Sequence, residues 1–183
     1  MTSEQNKRIL KKLAKQSIEY GIQHGKPLPI TEDYQTEELT LQRATFVTLM
    51  KQGQLRGCIG SLEAHRPLIE DVVKNSFSSA FRDYRFNPVT EQELDDLDIT
   101  ISILNPPQPM KFVSENDLLI QLRPNIDGLI IEDQGHRATF LPSVWQSLPQ
   151  PEKFLTQLKL KAGLSSNYWS PQLQAYRYTT ESF

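Results

Sequence analysis

The chain has a single cysteine, Cys58, and only three histidines among its 183 residues. One cysteine excludes an intramolecular disulfide. His24, His65 and His136 are scattered, with no short Cys/His ligand spacing. That argues against a zinc-type centre, and no metal or cofactor is expected. Long apolar runs are also missing, so no transmembrane helix is expected. The N-terminus, Met1-Thr2-Ser3-Glu4, is polar and leads into a helical pattern, not a targeting signal. A reducing, cytoplasmic setting follows from these absences. The chain lacks an excess of one charge: 20 basic and 22 acidic residues leave a formal net charge of −2. Nothing pulls it globally towards nucleic acid, and only a local basic patch would do so. A tight, sequence-independent interaction with nucleic acid is therefore not expected. No Gly-rich loop runs into a helix to cradle phosphate, and no nucleophile elbow occurs.

Apolar residues make up 38% of the chain and recur in clusters that can bury a core. The length suits one domain, or one domain with two lobes around a shared cleft. Ser3 to His24 reads as an amphipathic helix, with Ile9, Leu10, Leu13, Ala14 and Ile18 at three-to-four spacing, Ser3 as N-cap and Gly25 as stop. Lys26 to Glu38 reads as a loop. Arg43 to Lys51 and Leu55 to Ser61 read as two arms of a hairpin turning at Gln52-Gly53-Gln54. Pro67 suits the first position of a helix whose apolar stripe runs from Leu68 to Phe81. Pro88 closes the segment after it.

Thr90 and Glu93 have capping-box spacing, as do Ser114 and Asp117. Asp98 to Leu104 alternates as a strand, with Ile99, Ile101 and Ile103 on one face, and these are expected to pack on the Pro67–Phe81 helix. Asn105 to Pro109 reads as extended loop. Two strands, Gly128–Glu132 and Arg137–Leu141, meet at Gln134-Gly135. Glu152–Ala162 is helical, and Ala175–Thr179 is read as the final strand. Helices and strands mix without strict alternation, which implies an α+β fold with a largely antiparallel sheet flanked by helices.

The most informative stretch is Leu55-Arg56-Gly57-Cys58-Ile59-Gly60-Ser61. Strict alternation puts Arg56, Cys58 and Gly60 on one face. Two glycines within a strand point to a bulge or a close approach by backbone or ligand. A guanidinium near a thiol favours the thiolate, so Cys58 is a candidate nucleophile, although a lone cysteine in a β segment is most often a small buried hydrophobe. His65 is the nearest histidine in sequence to serve as its base. Glu63, Glu70 and Asp71 lie near one another and read as a solvated helix end. Arg82, Asp83 and Arg85 read either as a helix stop or, with Arg56, as an anion-binding rim. Tyr168, Trp169, Tyr176 and Tyr178 offer a base-stacking platform, but such residues are more often packing groups.

The residues from LRGCIGSLEAHRPLIEDV onwards resemble the AMMECR1 family, in its bacterial branch linked to the AmmeMemoRadiSam system. Asn75, the run Ala80-Phe81-Arg82-Asp83-Tyr84-Arg85-Phe86-Asn87-Pro88, Ile99 to Leu104, Asp127-Gly128-Leu129, Leu141 to Trp145, Lys161 to Leu164, Trp169 and Tyr176 continue the match. It covers residues 7–183. Tyr84 stands where many relatives have proline.

The resemblance implies a single two-lobed α+β domain with the RGCIG segment near the cleft between lobes. It implies a role in a modification pathway with Memo-like and radical SAM partners. Arg56, Gly57, Gly60, Glu63, His65, Arg82, Asp83 and Arg85 are then candidate substrate- or partner-contacting residues, with Cys58 a candidate catalytic thiol. Two other classes stay open: a non-catalytic adaptor or nucleic-acid-associated module, and a cysteine-dependent hydrolase or transferase. No pattern specifies an oligomeric state.

Overall fold

The computed structural model describes residues 2–30 and 36–183. The middle of the loop expected over Lys26–Glu38 lies outside the described residues, and its end is helical instead, as helix α2 (Glu37–Thr40) capped by Thr36. Among the described residues, no helix is long and apolar enough to cross a membrane. The chain forms two compact units: one runs to Leu104 and takes back Glu181–Phe183, and the other is Asn105–Thr180.

In the first unit, helix α1 (Glu4–His24) starts where the Ser3 hydroxyl accepts the Asn6 N–H and stops at Gly25, whose φ is 67°. The cap and stop signals act as expected, because they satisfy backbone groups the helix leaves orphaned. Strands β1 (Thr45–Lys51) and β2 (Gln54–Gly60) form a hairpin. Its two-residue turn has φ of 50° at Gln52 and 75° at Gly53, the twist that suits a tight antiparallel pair. Helix α3 (Leu68–Phe81) follows, with Pro67 one place earlier than expected, as the N-cap. The Thr90/Glu93 capping box forms on a 3-10 turn over Glu91–Asp96. Strand β3 (Leu97–Leu104) and a short strand absent from the sequence reading, β8 (Thr180–Ser182), complete a sheet in the order β2-β1-β3-β8. The strand read as the last is therefore the penultimate one.

Both helices lie on one face of this sheet. Val47, Leu49, Ile101 and Ile103 are fully buried there, in one cluster with Leu10, Leu13, Ile18, Leu68 and Val72. The isoleucine stripe does not sit mainly on α3 as expected. Helix α1 covers β3, while α3 covers β1 and β2. The two helices approach closely, since a Cβ at Gly21 would lie 2.4 Å from the Phe81 ring.

The second unit is built on a sheet in the order β4-β7-β5-β6: β4 (Gln108–Pro109), β7 (Gln174–Tyr178), β5 (Gly128–Asp133) and β6 (His136–Phe140). Helices α4 (Glu115–Gln121) and α5 (Pro151–Lys161) accompany it. Leu129, Ile131, Trp145, Phe154, Leu155 and Leu158 form its core, with Trp145 stacked on Phe154 at 3.8 Å between ring centres. The expected aromatic roles are packing ones here: Tyr178 is buried with its hydroxyl 2.8 Å from that of Thr139, and the Tyr168 hydroxyl donates to Asp133. The antiparallel pairing and mixed composition make the fold α+β.

Ile101 is fully buried at the centre of the first sheet. Ile101→Ala should cost about 2–5 kcal/mol. Chemical denaturation checks this, and a midpoint equal to wild type would show that the strand is peripheral to the core.

Candidate functional site around Cys58

The RGCIG segment is the edge strand β2. Its register with β1 pairs Cys58 with Thr48 and Gly57 with Leu49, then skips to Leu55 with Met50. Arg56 is the extra residue, so a β-bulge interrupts the alternation. The expected grouping of Arg56 with Cys58 and Gly60 does not hold. Leu55 instead falls in the rows of Met50, and Cys58 in those of Thr48. The glycine signal for a bulge or close approach is met twice. A Cβ at Gly57 would lie 2.2 Å from the Ser79 carbonyl oxygen, so α3 runs against the strand there. One at Gly60 would lie 2.3 Å from the Phe46 ring. The occupants of the two glycine clearances are thus a helix backbone and an aromatic ring of the same unit.

Helix α3 also bonds to β2. The Ser79 hydroxyl accepts the Ile59 N–H at 2.9 Å and donates to the Val47 carbonyl at 2.7 Å, joining two register partners. At the helix end, Asp83 accepts the Cys58 N–H at 2.9 Å. Arg85 grips Asp83 with Nε at 2.9 Å and Nη2 at 2.7 Å, and its Nη2 reaches the Cys58 carbonyl at 3.4 Å. Cys58 thus turns its backbone groups away from β1, which makes its pair with Thr48 the closer, non-hydrogen-bonded kind. The Thr48 Oγ1 lies 3.3 Å from the thiol sulfur. Cys58 is half-buried on the face opposite α1 and α3, in one row with Thr48 and Thr100.

Arg56 is not the cation beside the thiol. Its Nε and Nη2 each lie 3.0 Å from the Glu93 carboxylate, and Lys51 adds a third contact at 3.0 Å. Its Nη1 is buried without a hydrogen-bond partner among the described residues. The Arg56 guanidinium holds the Glu93 carboxyl well below the usual carboxylate range, against the opposing effect of burial. A cation within electrostatic reach of Cys58 is Arg85. Asp83 already neutralises it, so the thiol faces an ion pair and not a bare charge.

Other expected site residues make contacts of their own. Arg82 is exposed, with its guanidinium 5.2 Å from the centre of the Phe77 ring. His65 and Glu63 are exposed, and the His65 Nδ1 lies 2.8 Å from the Glu63 carbonyl oxygen. Asp71 is not part of a solvated helix end. It is fully buried and accepts from the Thr45 backbone and hydroxyl, Asn75, Ser61 and Arg66. Glu93, Ser79 and Thr48 were missed as contacts of the motif. The signal for Ser79 was a small polar residue within an apolar helix stripe, as also at Asn75 and Ser76. No group of three or more His, Cys, Asp or Glu side chains among the described residues is arranged to hold a metal ion.

These features define an α+β protein whose edge strand is clamped to a helix end, with a cysteine on the opposite face. The AMMECR1 family model matches residues 11–183, and the chain belongs to the AMMECR1 family. A protein of Methanothermobacter thermautotrophicus is 37% identical over 182 residues, covering 96% of this chain and 92% of the relative. One from Thermotoga maritima is 34% identical over 168 residues, covering 91% of each. The crystal structure of an uncharacterized protein, PH0010, from Pyrococcus horikoshii superposes with a TM-score of 0.88 at 32% identity, covering 95% of this chain and 88% of that one.

The clamp carries a pH signature. Hydrogen bonds from Arg85, above all, lower the Asp83 carboxyl from 3.8 to about 2. A carboxylate depressed by folding contributes stability above its unfolded pKa and loses it as pH falls through the folded one. The stabilisation should be complete above about pH 4 and fade towards pH 2, amounting to roughly 2 kcal/mol. Denaturation of wild type and Asp83→Asn across this range checks it. Asp83→Asn should flatten the acid limb, and parallel curves would remove Asp83 from the account.

Proposed function

We propose that this AMMECR1-family chain is a binding component of a modification pathway, acting with Memo-like and radical SAM partners, and that the sheet face carrying Cys58 receives the substrate or partner segment. The pathway and partners rest on the family resemblance. The binding role rests on one observation: the motif's charged groups are spent on the frame. Arg56 is held by Glu93, and Arg85 by Asp83. The exposed ring of His65 contacts the Glu63 carbonyl of its own loop.

What is left for a ligand is a surface of half-buried Cys58, Thr48, Thr100 and Met50 and the exposed Leu55, bordered by the exposed carboxylate of Asp98, the register partner of Met50. Such a surface suits packing and hydrogen bonding. A cysteine-dependent hydrolase or transferase needs a general base as well as a thiol. The one observation favouring that second reading is Arg85, whose charge would stabilise a thiolate to the extent that Asp83 does not cancel it.

The test uses purified chain with the Memo-like and radical SAM proteins of the same genome, followed by size-exclusion chromatography and titration. Leu55→Glu, on the surface of this face, should weaken partner binding about tenfold or more, since it places a charge in an apolar contact. Cys58→Ala should bind as wild type, and iodoacetamide should label the native thiol slowly at neutral pH. Rapid labelling, with Cys58→Ala and Cys58→Ser both folded and both inactive in cellular complementation, would establish the thiol reading. Absence of any complex with either protein would overturn the pathway assignment.

A further inference from the structure

A separate site lies wholly within the Asn105–Thr180 unit. A cavity of about 240 Å3 opens where β4 and β7 meet the loop after α4, and Asn105, Gln108, Arg123, Asp127, Arg177 and Thr179 line it. Two guanidiniums share this space with one carboxylate. Asp127 is fully buried and is consumed by Arg123: it accepts the Arg123 backbone N–H at 3.0 Å, Nη2 at 2.6 Å and Nε at 3.1 Å. That pair is electrically closed and leaves Arg123 Nη1 uncommitted.

Arg177 is different. It is half-buried one residue before the end of β7, between Gln108 of β4 and Leu129 of β5. Leu129 is a core residue, so the register puts Arg177 on the sheet face that carries the core. Its side chain makes no ion pair or hydrogen bond among the described residues. A partly desolvated cation beside a second cation, with the only lining carboxylate already spent, is unfavourable unless an anion compensates it.

The polar groups around it are poised as donors. Asn105 Nδ2 donates to Thr179 Oγ1 at 2.8 Å, which leaves the Thr179 O–H free to donate. Arg177, Arg123 Nη1 and Thr179 thus offer N–H and O–H groups to one volume. We propose that this cavity binds a small phosphate-type oxyanion, either inorganic phosphate or the phosphate end of a phosphomonoester. Arg177 supplies the compensating charge in forked geometry, Thr179 supplies a directional hydroxyl, and Asp127 fixes Arg123 at the wall. The site does not depend on the role of Cys58.

The experiment is a titration of the full chain, at constant ionic strength, with sodium phosphate, glycerol 3-phosphate and sodium chloride. It is followed by calorimetry and by the arginine Nε–Hε and backbone amide resonances. Saturable phosphate binding is expected, with shifts confined to Arg177, Arg123 and Thr179. Arg177→Gln should weaken it about tenfold or more, and Thr179→Val should weaken it several-fold, as losses of charged and neutral hydrogen bonds do. Tighter binding of glycerol 3-phosphate would identify a phosphomonoester site, and equal or weaker binding would identify free phosphate. The wild-type arginine resonances give the answer even where Arg177→Gln fails to fold. Non-saturable shifts matched by chloride, or unaltered affinity in folded Arg177→Gln, would overturn the proposal.

Discussion

The close approach of α3 to the edge strand β2 is the constraint on which the rest of the Cys58 region depends. At Gly57 the helix backbone occupies the space a Cβ would need. That proximity lets the Ser79 hydroxyl reach both Ile59 and Val47, and lets Asp83 reach the Cys58 N–H from the helix end. An edge strand normally presents unpaired backbone groups that invite another chain. Here Asp83 and Arg85 take up the outward N–H and C=O of Cys58, while Ser79 bridges the inward Ile59 N–H to the Val47 carbonyl of β1. The bulge at Arg56 follows from the same packing: it shifts the strand by one residue and sends a guanidinium to Glu93, where it ties β2 to the 3-10 turn before β3.

The motif is therefore mostly frame. Glycine 57 is required by a helix, Gly60 by the Phe46 ring, and Arg56 and Asp83 are half of two ion pairs. A parallel frame holds the other end of α3, where buried Asp71 gathers Thr45, Asn75, Ser61 and Arg66. Buried polar groups are costly unless fully bonded, and a satisfied network fixes one arrangement of the elements around it. What these two frames present is a single half-buried thiol in a row of threonines.

Much of this was legible in the sequence because it rests on local rules. Ser3, Gly25, the Gln52-Gly53 turn, the Thr90/Glu93 box and the Ile99–Ile103 alternation each act over a few residues, and each forms. The doubled glycines correctly announced a bulge or close approach. What was not legible depends on contacts between distant residues. Period-two alternation put Arg56 beside Cys58, and one bulge residue undid that. Asp71 looked like a solvated helix-end acid because nothing local marks Thr45, twenty-six residues earlier, as the partner that draws it into the core. Arg85 rather than Arg56 stands near the thiol because the chain after α3 folds back on β2. The strand Thr180–Ser182 was missed because three residues carry too short a pattern and pair with β3, about eighty residues earlier in the chain.

The central claim is that the turn after α3, not a second strand or a ligand, satisfies the outer edge of the RGCIG strand at Cys58, while Ser79 of α3 bridges its inner edge at Ile59 to β1. Amide hydrogen exchange at Cys58 and Ile59, read by NMR, tests it most directly. Both amides should exchange slowly in the isolated native protein. Ser79→Ala should accelerate Ile59 by about tenfold or more, the order expected for loss of a buried hydrogen bond, while leaving amides in the β4-β7-β5-β6 sheet unchanged. Fast exchange of Cys58 in the wild type, at the rate of an open edge strand, would contradict the account.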